Sequence, residues 1–534
     1  MKVKINNRKT FNYMVICIIA IIISIPLLSK KLNIYYNNGF NDIAEGYEFS
    51  KNFQINEGKI FSSFFNYLGT GNTILKAPLI IIALFFGNYL LDSFIITYKI
   101  IAFISLILSG IYMYKFVDKV TQNKNISLLA SVLYISAPVH LSQIYINNSL
   151  SNCLVFVFIP MTFFGLYKMF NTTEHSFHVA FGLIGLILTD LKLAFMVGIA
   201  IIIYIIINKN NWQIEHVKKA MIINFLAILS ITSFFVIPLI EANVKSDYVG
   251  SNITKNEFLE NRLTIKSLFV TDNQSNNVFE LGPHIIIMLA FSVMTLNRLK
   301  NNKLEYIFCF SMMLLYIFMS TKYFPWGLCP QAVNKLESSS NFLIVSIFFQ
   351  AFVCAMNMSV ILKKFSVKDV LIISLISLIY IIALKGFIPY INETLEIEDY
   401  DLSEIKQNKF LPKKAFDNLE YLSNRSNDVE VIRGNAEIYD KNKFLTYYSF
   451  KANTLEMDTI YEFPYLYYPG YEIRYDGINL EYFESENGLV AIKMEPEAGT
   501  YYELNYVGTK IMNVTKIISF SSLCLFGIYV YKKH

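Results

Sequence analysis

Phe11-Asn-Tyr-Met-Val-Ile-Cys-Ile-Ile-Ala-Ile-Ile-Ile-Ser-Ile-Pro-Leu-Leu28 is the stretch whose reading decides the fold. It carries no charge and follows a basic start of Lys2, Lys4, Arg8 and Lys9. A secretory leader has the same order, but this run is long for one and no small-residue cleavage site follows it. About 20 apolar residues cross a bilayer as a single helix, so we read a retained span. The rest of the chain agrees. Of 534 residues, 54% are hydrophobic and 16% charged, and the mean hydropathy is +0.42. Soluble domains carry about 25% charge, so this chain is built for lipid. Its formal charge of +5 is spread over short loops instead of one patch, which argues against nucleic acid and instead signals topology. Cys17, Cys153, Cys309, Cys354 and Cys524 lie in apolar runs and Cys329 in a loop, with no metal or disulfide spacing. They read as small core residues.

Placing basic loops in the cytoplasm gives an alternating map. Phe11–Leu28 runs outward, and Asn38 to Pro78 forms an outer loop. Ile74–Gly87, short and broken early by Pro78, is laid on the outer leaflet. Phe94–Tyr114, Ile126–Leu141 and Ser149–Met169 then cross in turn. Val179–Leu188 and Leu193–Ile207 form a tight pair, followed by Ala220–Ile240, Ile285–Leu296, Tyr306–Met319, Phe342–Leu362, Val370–Ala383 and Ile511–Val530. That is about 12 spans. The expected organisation is a polytopic bundle over 1–388, with outer loops 30–73 and 241–284. An extracytoplasmic domain over 389–510 follows, then a final transmembrane helix and basic tail over 511–534. From about 429 the period changes to β-branched and aromatic alternation, punctuated by Asp476-Gly477, Asn487-Gly488 and Ala498-Gly499. This predicts a small antiparallel β-sandwich. Both termini are expected in the cytoplasm.

The chain has no Walker, Rossmann, HExxH or GxSxG motif, and Gly69-Thr-Gly71 reads as a flexible turn. Chemistry is therefore sought in the outer loops. Asp42, Glu45 and Glu48 recur every three residues. On a helix Asp42 and Glu45 share a face, and mutual repulsion raises the pKa of at least one of them. A carboxylate so placed can take a proton from a hydroxyl; the plainer alternative is Asp42 as a helix cap with Glu45 at the third position. Further candidates on outer turns are His140, Asp190 with Lys192, Arg262, Lys322 and Trp326. Cations there can hold a lipid phosphate; alternatively, interfacial Lys and Trp anchor spans. An ionisable pair between two short apolar helices is costly unless it faces a wet cavity, which singles out Asp190 and Lys192.

Several short elements carry a resemblance: Asn41-Asp42-Ile-Ala-Glu45 after the first span, Tyr134-Ile-Ser-Ala-Pro138 before an outer loop, and Phe324-Pro325-Trp326. The tail, Tyr467-Tyr-Pro-Gly-Tyr471 through Pro496-Glu-Ala-Gly-Thr-Tyr-Tyr-Glu-Leu-Asn-Tyr506 plus a last helix, fits as well. The layout resembles the GT-C superfamily of polyprenyl-phosphate-sugar-dependent glycosyltransferases. More closely, it resembles the bacterial YfhO-like, 6-pyruvoyl-tetrahydropterin synthase-related membrane proteins. The resemblance implies a GT-C-like α-helical bundle, a polyprenyl-phosphate sugar as donor substrate, and a cell-wall glycan, lipid or other envelope polymer as acceptor. In that reading Asp42 is general base, with Glu45 tuning or replacing it. Lys192, with Lys322 or Arg262, offsets charge on the departing phosphate, and Tyr467, Tyr468 and Tyr471 offer stacking faces to a glycan. No cofactor is implied, and the acidic trio is compatible with or without a divalent metal. Departures fall on polar positions: Gly46 stands where such proteins often carry histidine, and Asp190 where another histidine is frequent. These support a second reading, a non-catalytic scaffold or handler of lipid-linked intermediates. A transporter, which would need paired broken helices or deep charges, is the third.

Overall fold

The computed structural model describes residues 2–28, 32–33, 42–43, 46, 49–50, 77–172, 176–245, 248–249, 255–260, 262–269, 281, 291–292, 295–299, 302–330, 335–361, 394–395, 411–444 and 447–533. Glu45, Glu48 and the expected span Val370–Ala383 lie outside them, as does most of Ile285–Leu296.

Among the described residues twelve helices build the bundle: α1 (Lys2–Ser24), α2 (Pro78–Leu91), α3 (Phe94–Thr121), α4 (Lys124–Ile135), α5 (Pro138–Tyr145), α6 (Leu150–Asn171), α7 (His178–Thr189), α8 (Leu191–Ile207), α9 (Glu215–Lys245), α10 (Lys303–Ser320), α11 (Asn341–Ile361) and α12 (Lys510–Lys533). Among the described residues seven helical stretches are long and apolar enough to cross a membrane, or eight if the α4–α5 pair is one broken span. The expected Ile126–Leu141 crossing is that pair, bent by 41°. The cause is local. Pro138 has no N–H to continue the ladder, and it forces Ala137 into extended geometry at φ −63 and ψ 134. At 12 and 17 residues, α7 and α8 fall short of the ~20 that a single crossing needs.

Polar side chains cap several of the helices. Ser93 Oγ accepts from Ile96 N, Asn123 Oδ1 from Asn125 N and Ile126 N, and Ser149 Oγ from Asn152 N. Each satisfies donors that the first helical turn leaves open. The helix ends sort into two layers. In one, Lys9 pairs with Asp118 at 3.3 Å, Arg8 donates to Asn125 at 2.8 Å, and Tyr306 donates to Asn357 at 2.6 Å. In the other, Tyr98 donates to Asn148 O at 2.5 Å, Ser339 to Ser320 O at 2.9 Å, and the β domain is attached. α11 is almost wholly enclosed, whereas α12 shows Ile517, Phe520 and Leu525 outward, as a lipid-facing helix does.

The tail forms two antiparallel sheets. Strands are β1 (Glu430–Arg433), β2 (Ala436–Phe444), β3 (Tyr447–Thr454), β4 (Thr459–Leu466), β5 (Tyr471–Tyr475), β6 (Ile478–Leu480), β7 (Phe483–Glu484), β8 (Leu489–Met494) and β9 (Glu497–Tyr506). One sheet runs β6-β5-β9-β3-β2 and the other β7-β8-β4-β1. Asp476-Gly477 closes the β5–β6 hairpin with φ of 44° and 84°, the geometry of a tight primed turn. Ala498-Gly499 separates no strands. It lies inside β9, where the register against β3 slips between Glu497 and Thr500 and Gly499 takes a φ of +70°, so the turn signal there marks a bulge. Phe450 stacks on Tyr502 at 4.8 Å in the core. Tyr468 and Tyr471 are only 1% and 5% exposed. These rings fill the sandwich and its junction, Tyr468 stacking on Tyr248 at 5.7 Å, so they are not the glycan-stacking faces expected from the sequence.

Among the described residues both α9 and the start of α12 meet the sandwich. Leu239 and Ala242 of α9 join the sandwich core. Glu241 accepts from Lys245 Nζ at 2.7 Å and from Thr509 Oγ1, just before α12, at 2.6 Å.

One lysine of the sandwich titrates unusually. Lys443 lies over the Tyr465 ring at 5.1 Å and donates to Asn427 Oδ1. Burial, then the nearby Arg425 guanidinium, pulls its ammonium from 10.5 down to about 8. Between those values the unfolded chain holds a proton that the folded chain has released, so stability rises with pH across the window; below pH 8 the penalty is fully present. Unfolding of the sandwich measured at pH 7.5 and 9.5 should show a gain of about 1 kcal/mol that Lys443→Met abolishes.

Candidate functional site

Asp42 is the sequence candidate that the fold positions most specifically. Its half-buried carboxylate accepts from the backbone N–H of Leu150 at 3.3 Å. Leu150 opens α6, so Asp42 meets the positive end of a helix 108 residues further along the chain. Its charge also acts on Tyr98 and Cys153. Ile43, its neighbour, is buried with Ile80, Leu84, Tyr98 and Leu150, which fixes the segment against α2, α3 and α6.

Behind α6's first turn lies an amide cluster that sequence reasoning missed. Gln143 Oε1 accepts from Asn147 Nδ2 at 3.0 Å and from Asn152 Nδ2 at 2.7 Å. The spacing of Gln143 and Asn147, four apart at the end of an apolar segment, is the signal that could have shown it. His140 is fully buried, its Nδ1 3.1 Å from Tyr134 O and its ring stacked on Phe156 at 3.9 Å. Among the described residues its Nε2 has no hydrogen-bond partner.

Asp190 and Lys192 separate in role. Asp190 caps α8, its Oδ1 accepting from Lys192 N at 2.8 Å and Leu193 N at 3.0 Å. Lys192 reaches away to Glu337 at 2.7 Å, with side chains 31% and 26% exposed. Glu337 has a positive φ of 61°, an uncommon conformation for a residue with a side chain. No sequence pattern connects two residues 145 apart.

Arg262, Lys322 and Trp326 gather beyond α10. Arg262 donates to Leu259 O at 2.5 Å and to Lys322 O at 3.3 Å, so its guanidinium ties two loops together. Lys322 is exposed, its ammonium 5.6 Å from the Tyr323 ring. Trp326 is 3% exposed and donates to Met319 O at 2.8 Å, with Phe258, Phe324 and Phe342 against it. It is a core residue of the loop.

Asp42, Lys192, Glu337 and the Lys322 loop thus all lie in the layer of helix ends that bears the β domain. Lys322 and Lys192 keep ammonium groups partly open to solvent; Asp190, Arg262 and Trp326 are spent on the scaffold. Among the described residues no three His, Cys, Asp or Glu side chains gather as a metal site would need.

Comparison with known proteins gives two findings. The family model for the 6-pyruvoyl-tetrahydropterin synthase related domain, a membrane protein, matches residues 77–387, more than half of the chain. An uncharacterized protein of Lactococcus lactis subsp. cremoris strain MG1363 is 26% identical over 264 residues, covering 45% of this chain and 42% of that protein.

Proposed function

The chain belongs to the 6-pyruvoyl-tetrahydropterin synthase related membrane-protein family, and from that premise we propose that it is a GT-C-like membrane glycosyltransferase. It moves a sugar from a polyprenyl-phosphate donor to a cell-envelope acceptor, on the side of the membrane where the β domain lies. In this reading about 12 spans cross the bilayer, with both termini cytoplasmic and residues 389–510 outside.

The observation that carries the reading is Asp42, a carboxylate held at a helix start on the same layer as the partly open ammonium groups of Lys192 and Lys322. Asp42 takes the proton of the acceptor hydroxyl as its oxygen bonds to the anomeric carbon. The bond from that carbon to the lipid phosphate breaks, and the electron pair leaves with the phosphate. Lys192, exchanging Glu337 for the phosphate, offsets the added charge, and Lys322 gives a second cation at the loop. Polar contacts to Gln143 and Asn152 suit a hydroxylated acceptor.

The test is Asp42→Asn in cells. Product glycan should fall by about a hundredfold, the range of a lost general base, with the protein still present in the membrane. Envelope glycan matching wild type removes Asp42 from the mechanism.

A second reading is favoured by the Lys192–Glu337 pair: a non-catalytic handler of lipid-linked intermediates, with Lys192 already engaged. It expects Asp42→Asn to be silent while deletion of the whole chain changes the pool of lipid-linked sugar.

A further inference from the structure

At the layer of helix ends away from the β domain, α7 begins beside the start of α9 and the end of α12. Asn224 of α9 fixes this junction. Its Oδ1 accepts from Ala180 N at 3.0 Å, and its Nδ2 donates to Ser176 O at 3.1 Å. Beside it opens a cavity of about 490 Å³ with Lys219 and Lys533 among its lining residues. Ser176, also in the lining, is 2% exposed, and among the described residues its Oγ has no hydrogen-bond partner. Buried hydroxyls rarely stay so. The N-cap of α7 is Phe177, which brings no side-chain oxygen to the helix start. The acceptor at this helix start is instead Asn224, whose Oδ1 takes the Ala180 N–H.

A second cavity, of about 370 Å³, adjoins the first and shares Phe177 with it. It is lined by Tyr112, Phe158, Met161, Phe181 and Val530, with His178. Phe181 is 44% exposed, on a face that the bundle offers to hydrocarbon. A cationic, hydroxyl-floored pocket thus meets an apolar slot at one residue. Glu215 also lines the first cavity and pairs with Lys219 at 2.9 Å. Both side chains are largely exposed, 82% and 70%, and such surface pairs are worth little, so the ammonium can turn to a stronger anion.

We propose that this composite cavity binds an anionic membrane phospholipid. Its phosphate sits between Ser176 Oγ, Lys219 and Lys533, and one acyl chain lies along Phe177 and Phe181. Basic pockets between membrane helices hold anionic head groups in this manner. The site lies at the layer opposite Asp42 and stands whether or not the chain transfers sugar.

Native mass spectrometry of the full chain in detergent tests it, titrating phosphatidylglycerol, phosphatidylcholine and inorganic phosphate. Phosphatidylglycerol should be retained and phosphatidylcholine lost. The Lys219→Gln/Lys533→Gln variant should bind phosphatidylglycerol about tenfold more weakly, and Phe181→Ala should weaken it as well. Lys533→Gln alone, at an exposed helix end, gives a smaller loss in a chain whose fold is untouched. Equal retention of the two lipids, or equal phosphatidylglycerol binding by wild type and the lysine variants, overturns the proposal. Inorganic phosphate displacing the lipid while Phe181→Ala has no effect overturns it too, leaving a site for free phosphate.

Discussion

Arg425→Met should destabilise the β domain by about 3–5 kcal/mol, a large part of the 5–15 kcal/mol that holds a typical domain together. The side chain of Arg425 has no exposure, and neither has that of Glu462, 3.7 Å away. A second carboxylate, Glu430, stands 3.7 Å from the guanidinium and is partly open to water. Arg425 also donates to Glu462 O and to Ser426 O, each at 3.3 Å. Remove the guanidinium, and among the described residues Glu462 keeps neutral donors alone: Tyr421 Oη at 3.3 Å and Asn487 Nδ2 at 3.0 Å. A carboxylate left in that position must either stay charged in a poor solvent or take up a proton. The cost belongs to the stranded charge more than to the lost pair, so Arg425→Met/Glu462→Gln should regain most of the stability. Thermal unfolding and protease protection of residues 411–506 in the full chain decide it. Wild-type protection in the single variant would show that the pair is not a structural element.

The second large effect is steric. α6 and α7 approach so closely that glycine is required at the contact. A Cβ on Gly182 would lie 2.1 Å from Thr162 Oγ1, 2.9 Å from Thr162 N and 3.0 Å from Thr162 Cα; one on Gly165 would lie 2.5 Å from Val179 N. Backbone atoms cannot step aside as a flexible side chain can. Small residues at such crossings let membrane helices pack on one another. Gly182→Val should therefore cost about 3 kcal/mol, the upper end for overpacking, and lower the melting temperature of the purified chain accordingly. Gly198→Ala is the control: nothing stands within 4 Å of its added Cβ, and the better helix former should leave stability unchanged or raised. If Gly182→Val melts with wild type, the α6–α7 contact is looser than described.

These two sites differ in how far the sequence shows them. Long apolar runs place α1, α3, α6, α9, α10, α11 and α12 almost directly, because crossing hydrocarbon demands length and apolarity at once. The Asp476-Gly477 hairpin is equally plain. The break at Pro138 is legible only as a proline in a run, and its bend follows from the lost N–H. Asp190 looks like part of an ion pair in sequence, yet the nearer backbone N–H groups of Lys192 and Leu193 claim its carboxylate, which leaves Lys192 to find Glu337. Tyr468 and Tyr471 mislead in the other direction. A tyrosine-rich stretch suggests a stacking platform, but the sandwich is small and fills its interior with those rings. Asp42 stands out by its place after the first span; that it reaches the start of α6 depends on packing between distant segments, which no local pattern encodes.

Glu241 bears on how the molecule moves. Because one buried carboxylate clasps both the lysine a turn below it and the threonine that begins the return strand of chain, the sandwich hangs from two posts side by side. Such a mounting, with the short ladder of Tyr248–Val249 against Leu411–Pro412 beside it, opposes the swivel a lone tether would leave. A load on the β domain is then carried into the paired helices beneath it.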